Sequence, residues 1–173
     1  MAKPLVLVGM MGSGKTTVGK RLAAKLSYEF VDTDDLVVAR AGKAIRDVFA
    51  EDGEPEFRRL ESLALHDALV RRDVVVAAAG GTVLSAENRS LMTEHARCVV
   101  WLDADVGTLA KRTMGGVHRP LLDEQPQERL MTMDAQRRSL YEAVANVRVD
   151  TAGKRIEVVV DEVVAALSKE FAS

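Results

Sequence analysis

Gly9-Met10-Met11-Gly12-Ser13-Gly14-Lys15-Thr16 matches the phosphate-loop pattern G-x-x-x-x-G-K-[ST] at every fixed position. It follows a continuous apolar run, Leu5 to Val8. It precedes a stretch in which Val18, Leu22 and Leu26 recur every fourth residue, the spacing of one helix face. That is the strand–loop–helix order the motif requires. Glycines let backbone N–H groups close around a phosphate, and the helix N-terminus adds partial positive charge. Lys15 can then reach the β- and γ-phosphates, and the Thr16 hydroxyl suits magnesium. Gly12, Ser13, Gly14, Lys15, Thr16 and Thr17 are the candidate nucleotide-binding residues. The motif leaves the reaction open, because GTPases, ATPases and small-molecule kinases share it. The chain has no Asn-Lys-x-Asp guanine-reading segment and is short for a motor ATPase, so a small kinase leads.

The rest of the chain has the composition of one ordinary globular unit. At 173 residues it fits a single domain, 1–173, on a prior of about 150 residues per domain. Hydrophobic residues make up 47% and the net charge is −2, which argues against disorder and against a basic nucleic-acid binder. A lone cysteine, Cys98, excludes an internal disulfide framework. His66, His95 and His118 are too far apart in sequence to suggest a structural metal site. No apolar run reaches the ~20 residues of a membrane span, and none has the form of a signal peptide. A cytoplasmic protein without membrane or nucleic-acid partners is expected.

Short apolar runs alternate with longer amphipathic ones. Strands are expected at Leu5 to Val8, Tyr28 to Val31, Val74 to Ala78, Arg97 to Leu102 and Val147 to Val149. Helices are expected over Lys15 to Leu26, Leu36 to Ala41, Ile45 to Ala50, Glu54 to Val70, Asp105 to Arg112, Gln127 to Val144 and Ile156 to Phe171. The alternation predicts an α/β fold, a three-layer α/β/α sandwich around a five-stranded parallel sheet. Ligands of such sheets sit beyond the carboxyl ends of the strands. Gly9 to Thr16, Asp32 to Asp34 and Ala79 to Gly81 all follow strands there.

Those segments supply the acceptor candidates. Asp32 and Asp34 point the same way if the chain stays extended, so one can help hold magnesium while the other orients or deprotonates a hydroxyl. Capping of the next helix is an equal reading. Arg58 and Glu61 share a helix face, and Arg58 beside Phe57 can grip a carboxylate; a surface ion pair is the plainer alternative. Gly80-Gly81 suits close backbone approach by a ligand, or a simple tight turn. Arg119 can close over phosphates and Arg137 can arrive from the following helix, although a solvated arginine is commoner. Cys98 reads as a buried apolar residue. Asp103 mimics a Walker B carboxylate but ranks below Asp32, on the expectation that its strand lies farther from the phosphate loop.

Taken together these motifs resemble the shikimate kinase family, almost end to end. The resemblance is carried by Gly9 to Thr16, Asp32-Thr33-Asp34, Phe49, Asp52-Gly53-Glu54, Phe57-Arg58-Arg59, Gly80-Gly81, Arg119-Pro120-Leu121-Leu122, and Arg137 with Leu140-Tyr141. It implies a P-loop kinase fold and transfer of the γ-phosphate of ATP to the 3-hydroxyl of shikimate, with magnesium, in the route to chorismate and aromatic amino acids. Another small kinase, gluconate-type or nucleotide-directed, is the alternative. By position, the family's pattern makes Asp34 the acceptor base, and Arg58 and Arg137 the carboxylate grip. Gly80 and Gly81 line the acceptor site, and Phe49, Phe57 and Glu61 shape it. Thr16 and Asp32 serve magnesium, Arg119 is the lid arginine, Arg112 packs on adenine, and Thr151 to Arg155 forms the adenine loop. The acceptor-binding segment spans about 33–61 and the lid about 114–126. A monomer is expected. Two departures from the family stand out. Ala79 replaces a glycine, harmless only if φ is negative, and Ser139 replaces a proline, which should loosen a turn.

Overall fold

The computed structural model describes residues 1–113 and 126–172. Five strands run parallel in the order β2-β3-β1-β4-β5: β1 Leu5–Val8, β2 Glu29–Asp32, β3 Val74–Ala77, β4 Cys98–Asp103 and β5 Val147–Asp150. Every residue of β1, β3 and β4 is buried, whereas the edge strands β2 and β5 are partly exposed. This is the burial expected when helices cover both faces of a parallel sheet.

Side chains of β1 divide by parity between two cores. Leu5 and Leu7 face α1 (Lys15–Leu26) and α8 (Ile156–Glu170), meeting Leu22, Val163 and Leu167. Val6 and Val8 face the opposite layer, with Leu65 and Ala68 of α4 (Gly53–Leu69), Leu109 of α6 (Val106–Thr113) and Leu130 of α7 (Pro126–Val144). Each fully buried leucine or valine of this set contributes about 1.5–3 kcal/mol. A third, smaller cluster holds Val37, Val48, Phe57, Leu60 and Ala64. It packs α2 (Thr33–Ala41) and α3 (Ile45–Glu51) against α4 and so builds the wall expected to receive the acceptor.

The strand order places the ligand crevice. From β1 the chain runs to the edge strand β2, returns to β3 beside β1, and then crosses to β4 on β1's other side. The order therefore reverses between β1 and β3, where open α/β sheets bind ligands.

Three local differences from the sequence reading have physical causes. A further helix, α5 (Ala86–His95), and a 3₁₀ turn, Thr82–Leu84, fill the region after β3. Only Asn88 and Met92 of α5 are buried, too few to make a visible apolar stripe; its signal is the cap, Ser85 Oγ accepting from the Asn88 N–H. Next, α2 begins at Thr33, not Leu36, so Asp32-Thr33-Asp34 turns into a helix and does not stay extended. Finally, Ser139 lies inside α7 on its exposed side, and there is no turn there for it to loosen. A proline's missing N–H at that position would break the ladder.

Candidate active site

The loop after β1 is shaped by a glycine that no other residue can replace. Gly9 takes φ +146°, and a Cβ there would lie 2.4 Å from the Leu102 carbonyl oxygen of β4. Downstream, Ser13 N–H donates to Met10 O, and Lys15 Nζ donates to Gly9 O at 2.8 Å and Met10 O at 2.9 Å. The ammonium is thus folded back over its own loop. The start of α1 has no side-chain cap and no acidic residue in its first turn, an arrangement complementary to an anion.

Across the crevice stands the β2–α2 junction. Asp32 does two things at once. One oxygen accepts from the Asp34 N–H at 3.0 Å and caps α2; the other accepts from the Thr16 hydroxyl at 2.8 Å. The helix-cap reading of Asp32 therefore holds, without removing Asp32 from the phosphate side. A hydroxyl and a carboxylate this close are a hard-oxygen pair of the kind magnesium takes alongside water and phosphate, so the residues present fit that ion. Burial, with the Asp32 carboxylate beside it, pushes the Asp34 carboxyl up to about 6, while Lys15 pulls the other way.

A cleft of about 1070 Å³ connects the two. Its phosphate side includes Gly12, Ser13, Gly14, Lys15, Thr16 and Thr17, and its acceptor side Asp34, Phe49, Phe57, Arg58, Glu61 and Arg137, with Gly80 and Gly81 between. Phe49 and Phe57 pack with their rings tilted by 34° and their centroids 4.4 Å apart. Arg58 is held from both sides, by Glu61 at 2.7 Å and Glu54 at 3.0 Å, and lies 5.3 Å from the Phe57 ring. Glu61 is almost fully buried, and burial holds its carboxyl above the ordinary value against the pull of Arg58. Arg137 is buried as well, and its Nε has no hydrogen-bond partner among the described residues. A guanidinium kept this dry and incompletely bonded is costly unless a ligand meets it. Gly81 leaves room for the Arg58 guanidinium: a Cβ there would sit 2.1 Å from Nη1, and the arginine would have to shift out of its present position.

Ala79 fits its place. The described non-glycine residues with positive φ are Ser27 and Asp73, so Ala79 carries no left-handed strain, and its N–H is taken by the Thr33 hydroxyl at 2.9 Å. Thr33 is a residue to which the sequence reading gave no role; its position inside Asp-Thr-Asp was the available signal.

The nucleotide end is less as expected. Arg112 donates to Gly12 O and to both oxygens of Thr151, tying the phosphate loop to the 151–155 segment. Arg155 does not line the cleft; its side chain is 85% exposed beside Glu157. Its neighbours Lys154 and Ile156 line it instead, because Arg155 is the N-cap of α8, where the chain turns. Asp103 is not remote. Its strand pairs directly with β1, Trp101 opposite Val8; what occupies its carboxylate is Arg138 and Arg148. Arg119 and the expected lid lie outside the described residues, save Pro126, where α7 begins.

The shikimate kinase family model matches residues 11–168. The chain belongs to the shikimate kinase family. A curated shikimate kinase from Symbiobacterium thermophilum is 44% identical over 168 residues, covering 95% of this chain and 96% of its own. Among solved structures, the shikimate kinase from Acinetobacter baumannii in complex with shikimate is 32% identical, with a TM-score of 0.94 over 98% of this chain and 95% of that one. A gluconokinase from Sinorhizobium meliloti shares the fold at a TM-score of 0.66 and 23% identity, over 96% of this chain and 92% of that one. The kinase fold is therefore common ground, and membership in the shikimate kinase family rests on likeness along nearly the whole chain.

Proposed function

We propose that the chain transfers the γ-phosphoryl group of ATP to the 3-hydroxyl of shikimate, giving shikimate 3-phosphate and ADP. The observation that carries this reading is one crevice in which a phosphate loop, a carboxylate with a raised pKa and two cationic side chains on the acceptor side face each other. Shikimate is a small carboxylate with vicinal hydroxyls, and Arg58 with Arg137 is its natural complement. Asp34 takes the proton of the attacking hydroxyl as the new O–P bond forms and the bond from the γ-phosphorus to the β,γ-bridging oxygen breaks, releasing ADP. Lys15 and the α1 N-terminus hold the ATP phosphates in line, and Gly80 and Gly81 let the acceptor approach the loop. Thr16 and Asp32 would hold magnesium, which when bound neutralises charge on the β- and γ-phosphates. Arg112, Thr151 and Lys154, which line that end of the cleft, would receive adenine. Arg119 would approach the phosphates from the lid. The enzyme is proposed to act as a cytoplasmic monomer; among the described residues no helix is long and apolar enough to cross a membrane.

Arg58→Ala tests the acceptor assignment. A charge-assisted hydrogen bond to a carboxylate contributes about 1.5–3 kcal/mol, so KM for shikimate should rise about 10- to 100-fold while KM for ATP stays within twofold. Equal rises in both would make Arg58 a structural residue and leave the carboxylate grip without support.

A further inference from the structure

Tyr141 is a buried phenol to which the reaction above gives no task. It stands one helical turn beyond Arg137 on α7 and is 1% exposed. Its hydroxyl donates to the Gly80 carbonyl oxygen at 2.6 Å, across 61 residues of chain. The Arg137 guanidinium lies beside the same phenol. On its other side the ring stacks on Trp101 of β4, with centroids 5.9 Å apart. Trp101 is in turn packed by Arg148 and Arg138, and both of those are paired with Asp103. The ring is therefore braced against the sheet while its hydroxyl reaches the loop. Burial pushes it up to about 12, so it remains a donor at neutral pH.

What it holds is a Gly-Gly peptide, the least restrained backbone a chain can have. In a trans peptide the C=O and N–H lie antiparallel in one plane, and no described peptide is cis. Turning the Gly80 carbonyl toward Tyr141 turns the Gly81 N–H the opposite way. We infer that Tyr141 is a positioning residue that locks the Gly80–Gly81 peptide so that the Gly81 N–H is aimed into the crevice at the acceptor and the group being transferred. The neighbouring 3₁₀ bonds, Thr82 N–H to Ala79 O and Leu84 N–H to Gly81 O, fix the ends of this segment but leave the Gly80 carbonyl to the phenol. The inference rests on the proposed reaction for its consequence, and on the Tyr141–Gly80 bond for its geometry.

Tyr141→Phe removes one oxygen and keeps the ring. In ¹⁵N-labelled protein without ligands, the Gly81 amide resonance should move, because the carbonyl of the same peptide loses its donor. In kinetics with magnesium-ATP and shikimate, kcat should fall about tenfold. Removing a transition-state donor outright costs about 10²–10³-fold, and here the donor is misaimed, not removed. KM for ATP should stay within twofold and KM for shikimate within threefold. An unmoved Gly81 resonance or an unchanged kcat would overturn the inference. So would a raised KM for shikimate at unchanged kcat, since that places the effect in Arg137. Should the variant not fold, the unmutated protein still decides. The Tyr141 hydroxyl proton should exchange slowly enough to be seen by NMR; exchange as fast as that of the more exposed Tyr28 would contradict the bond. Should the unmutated protein not turn over shikimate at all, the proposed reaction fails, and the Gly81 resonance still tests the lock.

Discussion

Lys15→Met is expected to abolish shikimate-dependent ADP release, by about 10³-fold or more, with the fold retained. The ammonium is the one side-chain cation that the phosphate loop itself carries, and the loop carbonyls of Gly9 and Met10 already aim it across the mouth of the loop. Phosphoryl transfer offers the protein little covalent chemistry, so positioning and charge neutralisation supply most of the rate. Methionine keeps the length of the stem and removes both. The same change has a second, separable consequence. Lys15 lowers the Asp34 pKa, so any residual activity should show its acid limb at higher pH than in the unmutated enzyme. Turnover within tenfold of normal would mean that Lys15 does not face the transferred group.

Asp34→Asn is expected to lower kcat by about 10²–10⁴-fold with ATP binding kept, the range lost with a general base. Asp34 titrates at about 6 when folded, against an ordinary 3.8, chiefly through burial and then through Asp32. In the unmutated enzyme kcat/KM should therefore fall about tenfold per pH unit below about 6, and that limb should vanish in the residual activity of the asparagine variant. The effect on stability has the opposite sign. Between 3.8 and about 6 the folded protein keeps a proton that the unfolded chain releases, so stability declines as pH rises through that window and then levels off. At neutral pH the ionised Asp34 is a cost to folding, and Asp34→Asn should melt at the same temperature or higher. A variant that lost activity and stability together would make Asp34 a structural residue. Normal turnover would remove it as the base.

The phosphate loop was fully legible because its glycines answer to backbone geometry, which a spacing pattern records directly. Gly9, with its positive φ and its 2.4 Å approach to the Leu102 carbonyl, shows why. The parallel sheet was legible because β1, β3 and β4 are buried on both faces and read as unbroken apolar runs. What the sequence hid depends on partners distant in the chain. The choice between surface and site for Arg58 and Arg137 is made by burial, by Glu61 and by Gly80-Gly81 across the crevice, and no local pattern encodes that. Both residues stood as candidates on type and spacing, and only the resemblance to a family decided between site and surface. Asp103 looked distant because strand order cannot be counted along the chain: β4 is fourth in sequence and directly beside β1 in space. Helix α5 escaped because only Asn88 and Met92 of its ten residues are buried. Arg155 was carried over by position alone and faces solvent, while its neighbours Lys154 and Ile156 reach the cleft.

The most direct measurement is a coupled assay of ADP release from magnesium-ATP, with shikimate, gluconate or a nucleoside monophosphate added in turn. The account predicts strong release with shikimate alone and little with the other two or with water. Silence with shikimate while ATP still binds, or faster release with either alternative acceptor, would contradict the assignment of Asp34, Arg58 and Arg137 to a shikimate site.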